Sequence, residues 1–305
     1  MQRVLVIADP HYSTDSGLGD QKWDPNKKDL AQEFLDKWDI ATQNGLRSAL
    51  EAAKGYGPFD LVLSLGDNTP GHNERGIHTA RAVEEYEKFR SVISEFFPEV
   101  PFKTALGNHE LGYNYDTGAA SRLLLRAFNW MPVPGAGINS SSLYICEDYV
   151  GPDFQVIPFG DWRILVVNTE IIRESKSGRH ESSFQAELEG QVLRQYSRIL
   201  DVIYRADPGK LILAGHDPKV LAKEVYPLFK HYGRKPALTL AGHVHFRTMG
   251  LWHQIWRPGL KLHVVPSTCR ELGRLPRIKH KGFAGGFGLL EMGSEKIRYR
   301  TIYVR

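Results

Sequence analysis

A chain of 305 residues, 42% apolar and 24% charged, has the make-up of an ordinary folded protein, long enough for one large α/β domain or two modest ones. Its formal charge of +4 is mild and spread along the chain, which tolerates an anionic partner without calling for nucleic acid. Two cysteines, Cys146 and Cys269, exclude a disulfide framework, and no apolar stretch approaches a membrane span.

In chain order, RVLVIA (3–8) reads as a buried strand. Its apolar run meets Asp9 too soon to be a secretory core, so a soluble protein in a reducing, cytoplasmic compartment is expected. Between Lys27 and Lys54 the apolar residues Leu30, Phe34, Trp38, Ala41, Leu46, Ala49, Leu50 and Ala53 recur at helical spacing. FDLVLSL (59–65) is a second strand. Val83, Tyr86, Phe89, Ile93 and Phe96 mark a second helix, and PFKTAL (101–106) a third strand. A short helix is expected near 118–129, before the Pro/Gly-rich NWMPVPGAGINSS; Asn139 there fits a glycosylation pattern too short to weigh.

SLYICE, FQVIPF and RILVVNT read as three consecutive strands. The helix over 185–206 carries Val192, Leu193, Tyr196, Ile199, Leu200 and Ile203 in one stripe. Next come KLILA (210–214), a helix near 218–231, PALTLA (236–241) and KLHVVP (261–266). FGLLEMGSEKIRYRTIYV closes the chain as a hairpin turning near Gly293-Ser294. The pattern is a layered α/β/α one with one or two sheets. No repeat or linker interrupts it, so a single domain over 1–305 is expected.

The residues just behind the strands are more telling than the strands. Behind the first come Asp9 and His11; behind the second, Gly66 and Asp67; behind the third, Gly107, Asn108, His109 and Glu110. Behind LILA come Gly215 and His216, and behind ALTLA come Gly242, His243 and His245. Ligands of α/β proteins gather just beyond the carboxyl ends of strands, and a glycine there permits a tight turn. A lone Asp after a strand is usually a turn former. Five of the twelve histidines at such ends, together with Asp9, Asp67 and Asn108, point instead to a metal site. Carboxylate, imidazole and amide oxygen without thiolate suit Mn²⁺, Fe²⁺ or Zn²⁺. Seven donors are too many for one tetrahedral ion and fit two ions sharing a carboxylate, an arrangement suited to phosphoryl displacement.

The five ordered blocks resemble those of the calcineurin-like metallophosphoesterases, over residues 4 to 246 and into the trailing strands. The resemblance implies an α/β fold, a two-sheet β-sandwich flanked by helices, with strands 286–304 completing it and two divalent ions at the strand ends. Carried over by position, Asp9, His11 and His245 would hold one ion, Asn108, His216 and His243 the other, and Asp67 would bridge them. A bridging hydroxide would attack a phosphomonoester or phosphodiester, His109 would be the general acid, and Glu110 would orient the ligands. GDNTP (66–70) resembles the opening of the purple acid phosphatase branch, but Pro70 replaces its tyrosine and His11 has no counterpart there. That argues for Mn²⁺ or Fe²⁺ over a tyrosinate-ligated Fe³⁺, with Zn²⁺ as a further fit. Asn168, at another strand end, matches no ligand of the family and reads as a structural loop residue.

Substrate choice is expected from the loops beyond the site: 12–25, 68–78 with Asn68, His72 and Arg75, and LGYNYD. The basic stretch 269–281, with Arg270, Arg274, Arg277, Lys279 and Lys281, reads as a solvated loop, and Trp252 and Trp256 as packing. Two other functions compete with phosphoesterase on a phosphate-ester substrate. One is a nuclease of the same superfamily, which would need a nucleic-acid cap after His245, where only 246–305 remain. The other is a non-catalytic metal-binding scaffold, which has no need to keep every ligand position and His109.

Overall fold

Apolar residues on both faces of a strand require a cover on each side, and here the covers differ. Val4 and Val6 of strand β1 (Gln2–Ile7) point into one core, while Leu5 and Ile7 point into another. The first core also takes Leu63 of β2 (Leu61–Ser64), Ile164 and Val166 of β5 (Trp162–Val167) and Ile212 and Ala214 of β6 (Leu211–Gly215). It is the seam between two sheets. The second core is the helical coat.

The computed structural model describes residues 1–14, 28–70, 80–111, 138, 140–177, 180–243, 259–268 and 285–304, with the backbone alone at some helical positions, 28–39 among them. One five-stranded sheet runs β10-β9-β1-β2-β3, with β3 at Phe102–Thr104, β9 at Gly286–Met292 and β10 at Ile297–Tyr303. The other runs β4-β5-β6-β7-β8, with β4 at Phe154–Phe159, β7 at Leu238–Ala241 and β8 at Leu262–Val264. Neighbours β1, β2 and β3 are parallel, as are β5, β6, β7 and β8, so their carboxyl ends share one edge. The trailing hairpin β9–β10 pairs antiparallel on β1 and so belongs to the first sheet.

Helices α1 (Lys28–Lys54) and α2 (Ala80–Phe96) cover the first sheet, burying Leu46, Leu50, Tyr86, Phe89 and Ile93. Each such side chain contributes roughly 1.5–3 kcal/mol of burial. SLYICE (142–147), expected as a strand, lies within helix α3 (Ser140–Tyr149). Leu143, Cys146 and Val150 recur at helical spacing and share the helical core, and that burial decides the conformation.

Asn168 caps α4 (Thr169–Ser175), its Oδ1 accepting from the amides of Glu170 at 3.0 Å and Ile171 at 3.3 Å, which makes it structural but more specific than a loop residue. In α5 (Ser182–Arg205) the buried stripe is Leu188, Val192, Gln195, Ile199 and Ile203. Leu193, expected inside, is 68% exposed, and Gln195 takes a place in the stripe. Gln195 earns burial by clamping a backbone: its Oε1 accepts from Asn168 N at 2.9 Å and its Nε2 donates to Asn168 O at 3.1 Å. After β6, helix α6 (Pro218–Val220), a π turn (Leu221–Val225) and α7 (Tyr226–His231) run on with helical backbone. The helix expected near 118–129 lies outside the described residues, as do Asn139, Trp252, Trp256 and the basic stretch 269–281. No helix among the described residues is long and apolar enough to cross a membrane.

Candidate metal centre

Where the carboxyl ends of the two sheets meet, six of the seven expected ligands converge. Asp9 and His11 follow β1, Asp67 follows β2 and Asn108 follows β3, all in the first sheet. His216 follows β6 and His243 follows β7, in the second. His245 lies outside the described residues, with His72 and Arg75.

The pairing of β1 with β2 carries on past both strands, His11 N donating to Asp67 O at 3.0 Å and Tyr12 N to Asn68 O at 2.8 Å. Among the described residues, five that are not glycine have positive φ, and four are expected ligands: Asp9 at 47°, His11 at 42°, Asp67 at 52° and His243 at 68°. A left-handed backbone at such residues costs about 1–3 kcal/mol each and persists only where surroundings hold it. The glycines do less turning than expected. Gly66 has a φ of 93°, but the role of Gly107 is close approach: a Cβ there would overlap the carboxylate and amide of Asp67.

Glu110, fully buried, holds this backbone in place. Its Oε2 accepts from Gly107 N at 2.8 Å and Asp67 N at 3.0 Å, and its Oε1 from Asn68 N at 2.6 Å. The sheets are stitched across the seam by His216 Nδ1, 2.8 Å from Leu65 O, and by His243 N, which donates to Asp9 Oδ1 at 2.9 Å. A carbonyl oxygen only accepts, so His216 Nδ1 carries a proton and, in the neutral ring, Nε2 carries the lone pair. Around that Nε2 stand Asn108 Oδ1 at 3.1 Å, His243 Nδ1 at 3.1 Å and Asp67 Oδ2 at 3.2 Å. The same Asp67 Oδ2 lies 3.7 Å from His11 Nε2. Two groups could each hold a cation, His11-Asp67-His109 and Asp67-His216-His243, with Asp67 common to both.

Charge in this cluster is crowded. Burial pushes the Asp9 carboxyl up to about 8, His216 opposing and Asp67 adding to the rise. Burial acts on Asp67 too, but His216 and His109 hold it well below the carboxylate range. Burial works against the charge on His216, yet Asp67 holds it well above the imidazole range, while burial and His216 together push His243 down to about 3. Lone pairs converging from both sheets, two buried carboxylates and the absence of thiolate are a donor set that fits divalent cations.

His109 stands beside this set, half-buried. Its backbone N donates to Asp67 Oδ1 at 3.0 Å, its Nδ1 lies 3.2 Å from Pro70 O, and its ring meets His11 edge-on at 4.6 Å. Asn68 is corrected: expected to meet substrate, it is fully buried, its Oδ1 accepting from Ser64 Oγ at 2.5 Å and its Nδ2 donating to Thr104 Oγ1 at 3.0 Å. Side chains of the two neighbouring strands hold both ends of its amide. Ser267, which sequence reasoning misses, donates from Oγ to Asp9 O at 2.6 Å. It follows β8, so the strand-end rule that picked out the expected ligands also reaches it.

The family model for calcineurin-like phosphoesterases matches residues 2–247. The chain belongs to that family. Acid sphingomyelinase-like phosphodiesterase 3b of Homo sapiens is 26% identical over 138 residues, which cover 43% of this chain and 29% of that protein. The Mus musculus protein of the same name is 25% identical over 171 residues, covering 52% and 36%. The matched stretches thus span about a third of these curated relatives. A dimetal phosphatase from Danio rerio shares the fold with a TM-score of 0.54 at 14% identity, covering 100% of this chain and 99% of that one. Purple acid phosphatase PPD1 of yellow lupin (Lupinus luteus) does so at 0.51 and 16%, covering 98% and 51%. Both have the two helix-flanked sheets of the calcineurin-like fold.

Proposed function

We propose that the chain is a metal-dependent hydrolase of phosphate esters working at a centre of two divalent ions. Asp67 carries the proposal: one carboxylate oxygen lies 3.2 Å from His216 Nε2 and 3.7 Å from His11 Nε2, between two groups of donors. Asp9 and His11, with His245, would hold one ion; Asn108, His216 and His243 the other; Asp67 would serve both. The thiolate-free donors favour Mn²⁺ or Fe²⁺, then Zn²⁺. Pro70 stands where the purple branch has its tyrosine, so we expect a colourless protein. When bound, such ions supply Lewis acidity toward a phosphoryl oxygen and lower the pKa of a bound water.

The chain's own groups supply orientation and a proton. Leu65 O fixes the tautomer of His216, so that Nε2 faces the centre. Glu110 and the amide of His109 hold the Asp67 backbone and carboxylate. Pro70 O accepts from His109 Nδ1, so it is the doubly protonated ring that would deliver its Nε2 proton to the departing alcohol, leaving the neutral ring with a lone pair on Nε2. Since one centre draws ligands from both sheets, we take 1–305 as a single domain. The curated relatives are named phosphodiesterases, so a diester is the first substrate to try. A cytoplasmic, reducing location is our reading of a chain with two cysteines, of which Cys146 is a buried thiol donating to Glu110 O at 3.2 Å.

A metal-reconstituted panel tests the reading: p-nitrophenyl phosphate, its bis-ester, cyclic nucleotides, glycerophosphodiesters and single-stranded DNA. Hydrolysis that needs added Mn²⁺ or Fe²⁺ supports it. A purified protein that holds no divalent metal and gains no activity from either ion would overturn it.

A further inference from the structure

Away from the metal centre, Glu187, Gln191, Arg194, Gln195 and Arg198 recur along α5 at intervals of three and four, so they share one helical face. A polar face on a surface helix normally meets only water. Here it meets a cavity of about 220 Å³ between α5 and α3, floored by Leu106 and Asn168 and flanked by Leu143. At about 30 Å³ of liquid volume per water, this is room for about seven waters or a small organic molecule.

Two of the groups lining it, Asn168 and Glu187, are held by hydrogen bonds and have hydrogen-bonding capacity to spare. The Gln195 clamp locks the Asn168 backbone, and the cap of α4 occupies Asn168 Oδ1. Asn168 Nδ2 is then buried with no hydrogen-bond partner among the described residues, on a residue only 1% exposed. Glu187 is similar: Oε2 accepts from Ser140 Oγ of α3 at 2.6 Å, and Oε1 is buried with no hydrogen-bond partner among the described residues. A hydroxyl, which both donates and accepts, has the chemistry to answer either of them. At the outer end Arg198 is paired with Asp153 at 3.9 Å, whereas Arg194 makes no ion pair among the described residues. A guanidinium in that position suits a phosphate or carboxylate.

We propose that this cavity is a binding site for a small hydroxylated anion, its hydroxyl meeting Asn168 Nδ2 and Glu187 Oε1 and its anionic group meeting Arg194. Leu106 and Leu143 would cover the ligand's carbon skeleton. Glu187 and Arg194, seven residues apart, stand about 10.5 Å from each other along the helix axis. With both side chains reaching inward, that suits a molecule about three carbons long. The site stands on its own geometry and does not depend on the hydrolytic reading.

The probe is glycerol 3-phosphate, titrated calorimetrically into the full chain, with glycerol and inorganic phosphate as ligands that each lack one half of the chemistry. Saturable binding is expected to survive chelation of the metal, with both half-ligands at least about ten-fold weaker. Arg194→Ala and Glu187→Gln should each weaken it about ten-fold or more, the loss of one charge-assisted hydrogen bond. Neither variant should alter metal content or phosphoesterase activity. No saturable binding at millimolar ligand overturns the proposal. So does undiminished binding by Arg194→Ala in the metal-loaded protein, which would send the ligand to the metal centre instead.

Discussion

Replacing Glu110 with Gln changes one atom and tests how the centre is held. The carboxylate accepts three backbone N–H bonds, from Gly107, Asp67 and Asn68, at 2.6–3.0 Å. A glutamine side chain has one acceptor oxygen. In its better orientation the oxygen keeps Gly107 and Asp67, and its NH₂ faces the amide of Asn68. Two bonds then fall from charged to neutral strength, a loss of about 1 kcal/mol each, and the third goes, a further loss of about 1.5–3 kcal/mol. Against this, the variant need not bury a charge, and burial together with Asp67 already pushes the Glu110 carboxyl above its usual range. The net is roughly 1–3 kcal/mol of stability. Urea unfolding should show a lower midpoint at unchanged slope. Metal affinity should fall by about 10–100-fold, the usual effect of losing a group that orients a ligand. The control is Glu181→Gln, at the exposed start of α5, where the side chain makes no cap bond. If Glu110→Gln matched the wild type in both urea midpoint and metal content at limiting metal, Glu110 would not be what holds Asp67 in its left-handed conformation.

Asp67→Asn keeps an oxygen for the amide of His109 while neutralising the atom that faces both donor groups, so metal content should drop and hydrolysis disappear; wild-type metal stoichiometry would contradict a shared carboxylate. His109→Ala retains its backbone bond to Asp67, so metal content should hold while hydrolysis of an alkyl ester falls by about 10²–10⁴ and of a p-nitrophenyl ester much less. Equal rates on the alkyl ester would refute the proton-donor role, and lost metal would make His109 a ligand. Gly107→Ala drives a methyl into the Asp67 carboxylate and should yield protein that is insoluble or metal-free; a variant with normal metal content would show that the loop can yield.

The strands, most helices and the cluster of donors at the strand ends are legible in the sequence because each rests on a local rule: apolar runs, helical spacing, and polar residues just behind a strand. What escapes depends on partners distant in sequence. Asn68 looks like a loop residue offered to substrate because nothing local reveals that Thr104, 36 residues on in the adjacent strand, accepts from its amide and that the side chain is buried. Gln195 cannot be told from a solvated polar residue until Asn168 stands opposite it. SLYICE has strand-like composition, and only the burial of Leu143 and Cys146 on one side makes it helical. The strain is least visible of all. Glycines advertise a turn, yet left-handed backbone sits also on Asp9, His11, Asp67 and His243, whose residue types give a much weaker sign of it.

That displacement of strain onto the expected ligands follows from where the centre lies. A site within one sheet could be built from strand ends in ordinary extended conformation. This one draws Asp9, His11, Asp67 and Asn108 from the first sheet and His216 and His243 from the second. Each chain segment must therefore turn abruptly off its strand and reach across the seam. The small residues Ala8, Ala105 and Ala214, at the carboxyl ends of the inter-sheet core, let the two edges come close enough for that. His216 Nδ1 then reaches Leu65 O, and Asp9 Oδ1 reaches His243 N, two bonds that exist only when the sheets are docked. The donors around Asp67 are in this sense a product of the sheet packing. Cations held there would bind the docked sheets more tightly than the separated ones, so metal affinity and the stability of the seam are two sides of one equilibrium.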